Sequence, residues 1–166
     1  MRAILGIAIL LLVAASNTVH AADLPAQLRI DHSLRFRHHT ITIDFVETQG
    51  LVRATVKTRH SQSDVVPEVD KTYTLTDGQA QRLRRLFSRL DLLDLRSPHD
   101  LGLAGTDGQY WILAYRNNAG ELQSIKMWSP DLSADERGLT DYVALFKFAL
   151  DAVGFDPETT MPKDQR

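Results

Sequence analysis

Between residues 40 and 57 the chain alternates apolar and polar side chains with a period of two, and this pattern dictates a β-sheet with one buried face. Ile41, Ile43 and Phe45 alternate with Thr40, Thr42 and Asp44, and Val52, Ala54 and Val56 alternate with Arg53, Thr55 and Lys57. Successive side chains of a strand point to opposite faces, so each run presents one apolar and one polar surface. Thr48-Gln49-Gly50 lies between them, and a turn this short joins its strands antiparallel. An apolar sheet face must be covered, and helices have to be found elsewhere in the chain to do it.

Two amphipathic stretches supply them. Thr76 is a good N-cap and Gln79, three residues on, completes a capping box. Ala80, Leu83, Leu86, Phe87 and Leu90 then recur at helical spacing, and the helix should fade around Leu92 to Leu95, ahead of Pro98. Ser133 with Glu136 reads as a second capping box. It would open a helix with Leu139, Tyr142, Val143, Phe146, Ala149, Leu150 and Val153 inside, ended by Gly154 and Pro157.

The remaining segments connect these parts. Residues 22–33, with Pro25 and scattered polar side chains, read as a lead-in. Leu34 and Phe36 share a face in the opposite phase to Ile41, which predicts a bulge or bend near His38-His39. Residues 60–70, broken by Pro67, read as a loop before a short strand near Tyr73 to Leu75. A glycine-rich loop, Leu101 to Gly108, leads into a second hairpin: Tyr110 to Arg116, the turn Asn117-Asn118-Ala119-Gly120, and Glu121 to Trp128. Ser129-Pro130 stops that strand. The order β-β-(β)-α-β-β-α predicts an α+β two-layer sandwich, an antiparallel sheet of about five strands with two helices on one face. Residues 22–156 form its single domain, and residues 157–166 a polar, flexible tail.

The first 21 residues have another purpose. Arg2 precedes an apolar run of thirteen residues, Ala3 to Ala15, followed by Ser16, Asn17 and Thr18 and a small–x–small site at Val19-His20-Ala21. This is the layout of a secretory signal peptide cleaved after Ala21. A membrane-spanning helix needs about twenty apolar residues, so the run is short for an anchor. The expected destination is the periplasm or the medium.

Composition removes several kinds of chemistry. With no cysteine in 166 residues there are no disulfides, thiolate nucleophiles, cysteine zinc sites or iron–sulfur clusters. A net charge of −2 offers no global attraction to nucleic acid or to anionic lipid. There is no Gly-x-Ser-x-Gly elbow and no His-Glu-x-x-His helix. His38 and His39 are adjacent on a strand and point to opposite faces, so they cannot share one metal in regular geometry. The glycines at 102, 105 and 108 invite comparison with a phosphate loop, but a strand follows them where such loops require a helix N-terminus. No catalytic residue, metal ligand or cofactor is assigned.

Some residues suit binding. Trp111 and Trp128 sit in the second hairpin near Tyr110, and exposed aromatics on a sheet form platforms for sugars, peptides or proteins. Strand aromatics also pack beneath helices, so the expectation is that one of the two lines a partner-binding edge, Trp128 being the better placed beside Ser129-Pro130. Asp107 and His99 flank the glycine loop and complete the candidate contacts. On the first helix Arg82, Arg85 and Arg89 lie on one side with Arg84 beside them, a basic ridge that Asp91 and Asp94 compensate as a solvated face.

Asp107-Gly108-Gln109-Tyr110-Trp111-Ile112-Leu113 and Met127-Trp128-Ser129-Pro130 resemble a pattern of uncharacterised bacterial exported proteins. In these an Asp-Gly-x-x-Trp-x-Leu strand pairs with one ending in Trp-Ser-Pro. The Leu75-to-Gln79 opening of the first helix is similar to theirs as well. The resemblance implies an exported, periplasmic domain and brings no activity. The expected function is a non-enzymatic binding module, for example an inhibitor or immunity-type partner of an envelope enzyme. The alternative is a small envelope hydrolase or metal-dependent enzyme using His99, Asp100 and Asp107 near the Gly102–Gly108 loop.

Overall fold

The computed structural model of the chain describes residues 24–34, 37–60, 68–90, 108–117, 120–157 and 163. The elements are β1 (Gln27–Leu34), β2 (Arg37–Thr48), β3 (Leu51–His60), β4 (Asp70–Thr74), α1 (Asp77–Phe87), β5 (Gly108–Arg116), β6 (Leu122–Trp128) and α2 (Thr140–Ala152). The strands make one open, wholly antiparallel sheet in the order β4-β3-β2-β1-β5-β6. Both helices pack into a single core against one face of it, so the α+β two-layer sandwich is the architecture, with six strands.

The strand beyond the expected five is β1, the segment read as a lead-in, and it lies inside the sheet between β2 and β5. Its pattern is the same period-two alternation, but only Leu28 and Ile30 carry it, too short a run to stand out beside Pro25. Leu28 sits between Ile43 and Leu113, and Ile30 between Ile41 and Trp111, each 1% exposed. Burying two such side chains contributes about 1.5–3 kcal/mol each, and hydrogen bonding to a strand on either side adds to it. The register runs unbroken from Gln27↔Asp44 to Leu34↔Arg37, His38 and His39 included. The expected bulge there is therefore corrected: the change of phase comes from reversal of the chain between β1 and β2.

The β2–β3 turn is Gln49-Gly50, both at positive φ (53° and 79°), the conformation in which a two-residue turn follows the strands' own twist. Thr76 caps α1 with the full reciprocal box: its Oγ1 accepts from the Gln79 backbone N–H, and Gln79 Oε1 accepts from the Thr76 N–H. α1 ends at Phe87, short of the expected fade, with Ser88 as its C-cap; Leu90 is buried, and 91–107 lie outside the described residues.

Ser133 does not open α2. Its φ is +52°, incompatible with an N-cap, and the helix starts at Thr140 after Leu139. The turn after Ser133 is closed at once. Gly138 at φ +67° donates to the Asp135 carbonyl and Leu139 to the Ala134 carbonyl, a helix-terminating motif within one turn. Gly154 closes α2 in the same way, with Phe155 donating to Leu150. Lys163 returns to this end, its backbone N–H on the Gly154 carbonyl and its ammonium 2.5 Å from Asp151.

Candidate functional site

Strand alternation leaves the second sheet face without a helix among the described residues, and the registers align its side chains in rows across the strands. One row runs Arg59, Thr40, Asp31, Tyr110, Trp128 from β3 to β6. The next runs Asp70, Lys57, Thr42, Arg29, Ile112, Lys126 from β4 to β6. Arg53 and Arg116 lie beyond, towards the other end of the face. Among the described residues the face holds six cations (Arg29, Arg53, Lys57, Arg59, Arg116, Lys126) against three carboxylates (Asp31, Asp44, Asp70). A chain with net charge −2 thus carries an excess of positive charge on its helix-free side.

Contacts on this face engage three of those cations, Arg29, Lys126 and Arg116, the last donating to the Gly120 carbonyl at 3.0 Å. Asp31 is taken up locally: Arg29 Nε donates to it at 2.7 Å and Thr40 Oγ1 at 3.0 Å. Asp44 accepts from Gln27 Nε2 at 2.6 Å. Lys126 Nζ lies 3.9 Å from the centroid of the Tyr110 ring, a cation–π contact between diagonal neighbours. Among the described residues Arg53, Lys57, Arg59 and Lys126 form no ion pair.

Trp128 ends this face and is held from two sides. A Cβ on Gly108 would come 2.5 Å from the indole Nε1 and 2.8 Å from Cε2, so the ring occupies space that only glycine leaves open. From behind, Arg137 grips the backbone: Nη2 donates to the Trp128 carbonyl at 2.8 Å, and Nη1 to the carbonyls of Ser129 at 2.6 Å and Leu132 at 3.0 Å. Burial lowers the Arg137 pKa, and the nearby Asp131 carboxylate opposes that shift. The segment so fixed includes Ser129 and Ser133 at φ +34° and +52°, conformations that a non-glycine residue adopts only when its surroundings impose them.

The five expected contact residues part company. Tyr110 and Trp128 are neighbours on the helix-free face, both half-buried. Trp111 faces the other way. It is 2% exposed, with its ring 4.8 Å from that of Phe146 on α2, so as a partner contact it is corrected to core. Asp107 and His99 lie outside the described residues, as does the glycine loop before Gly108. The arginine ridge of α1 is partly engaged in packing, with Arg82 over the Phe148 ring at 4.9 Å and Arg84 on Glu47 at 2.8 Å. No group of three or more metal-ligating side chains occurs among the described residues.

Arg29, Lys57, Lys126 and Arg137 escaped the sequence reading. The first three carry a signal there, the polar half of the strand alternation, but their alignment exists only in the register. No protein-family model, curated protein or solved structure matches the chain.

Proposed function

We propose that the chain is an exported, non-enzymatic binding module that engages a component of the cell envelope through the helix-free face of its sheet. The leader at residues 1–21 supports export, and no described helix is long and apolar enough to cross a membrane. One observation carries the binding assignment: a half-buried tryptophan, Trp128, packed over Gly108 beside Tyr110 and Lys126 on a face that α1 and α2 leave uncovered. An aromatic side chain held rigid before its partner arrives loses little entropy on binding, which is the property of an anchor residue.

The test is a pair of pull-downs from an envelope fraction, with the mature chain and with Trp128→Ala as baits. Recovery of a defined component by the first and its loss with the second supports the assignment. Equal recovery with both baits, or none with either, refutes it. N-terminal sequencing of the native protein tests export, with Ala22 expected as the first residue.

A further inference from the structure

We infer that the helix-free face takes a linear acidic polysaccharide, lying across the strands with its uronate carboxylates on Lys57, Arg29 and Lys126. This rests on the binding face proposed above and names the ligand class it suits.

The spacing of the cations selects among polyanions. Lys57, Arg29 and Lys126 stand in one row on β3, β1 and β6, and each step skips one strand. Neighbouring strands are about 4.8 Å apart, so the Cα positions of these residues recur at about 10 Å, with the Arg29 and Lys126 head groups leaning towards Asp31 and Tyr110 of the adjacent row. A DNA duplex carries about one phosphate per 3.4 Å of helix axis on each strand, so a row of three cations would meet only a small share of its phosphates. Alternate side chains of an extended acidic peptide recur at about 7 Å and fall out of step after one contact. A β-linked sugar chain with a carboxylate on every second ring repeats at close to the cation spacing.

The adjacent row supplies what a sugar needs besides charge. Trp128 lies beside Tyr110, whose ring the Lys126 ammonium covers, and the flat C–H face of a pyranose packs on an aromatic ring such as the Trp128 indole. At the far end of that row Arg59 adds a second cation beside Lys57. The carboxylate most central on the face, Asp31, is already held by Arg29 and Thr40, which reduces its repulsion of an anion. Arg29 keeps 44% of its side chain exposed despite that pair.

The experiment measures binding of the mature chain to hyaluronate, which carries one uronate per disaccharide, and to its carboxyl-reduced form. Poly-glutamate and single-stranded DNA serve as polyanions of other spacing. Hyaluronate is expected to bind, with affinity falling as salt rises, and the carboxyl-reduced polymer to bind at least tenfold more weakly. Lys126→Ala and Lys57→Ala should each weaken binding about two- to fivefold, and Trp128→Ala about tenfold. Arg85→Ala, on the helix side, should leave it unchanged. No binding of hyaluronate, or equal binding of poly-glutamate or DNA, overturns the polysaccharide assignment. If the envelope pull-down still depends on Trp128 in that event, the face remains a binding face with a different occupant, such as an acidic protein. If that dependence is lost too, both readings fall.

Discussion

Trp128 rests so close to Gly108 that a single added carbon on the glycine would stand 2.5 Å from the indole nitrogen. The two belong to neighbouring strands, and the contact fixes the ring from below while Arg137 holds the backbone that carries it. Gly108→Ala should therefore displace the indole and cost about 1–3 kcal/mol, the usual range for overpacking a filled site. Tryptophan emission should shift, and envelope binding should fall as it does for Trp128→Ala. An unchanged emission spectrum would show that the indole keeps its place and would overturn the contact argument.

The two tryptophans should separate cleanly by solvent access. In Trp111→Phe the remaining indole, Trp128, should be quenched by iodide, whereas in Trp128→Phe the remaining Trp111 should be protected. Denaturant unfolding should separate them as well. Trp111→Ala removes a ring packed against Phe146 and should cost about 3–5 kcal/mol, while Trp128→Ala should cost about 1 kcal/mol.

Arg137→Ala strips donors from three carbonyls in one segment. Charge-assisted hydrogen bonds are worth about 1.5–3 kcal/mol each when a partner is left buried, but these carbonyls are near solvent and share one side chain, so a total of about 2–3 kcal/mol is expected. Limited proteolysis should show new cleavage between residues 129 and 137. Arg137→Lys should rescue little, because an ammonium cannot span the fork that reaches Trp128, Ser129 and Leu132 together.

Thr76→Ala removes the hydroxyl that receives the Gln79 N–H and should destabilise the fold by about 1 kcal/mol. Thr76→Ser should restore most of this. A shift in thermal midpoint for Ala with recovery for Ser is the expected pattern.

Elements whose signal is local were legible in the chain. The β2–β3 hairpin follows from adjacent alternating runs and a Gln-Gly turn, and the start of α1 from two side chains three residues apart. Ser133 with Glu136 shows the same local signal failing: five residues on, Gly138 at positive φ closes the turn before a helix can propagate. For Tyr110, Trp111 and Trp128, composition named the aromatics, but only strand register assigned their faces. An error of one residue would exchange Trp111 for Tyr110 beneath α2.

Alternating side chains, turn residues and caps oblige this chain to make antiparallel hairpins and amphipathic helices, because those preferences act between near neighbours and need no partner. That Gln27–Leu34 becomes an interior strand, that Lys57, Arg29 and Lys126 stand in line, and that Trp128 meets Gly108 were settled by strand order and register. Those depend on which apolar rows bury each other across dozens of residues, a long-range balance that no short window of sequence contains.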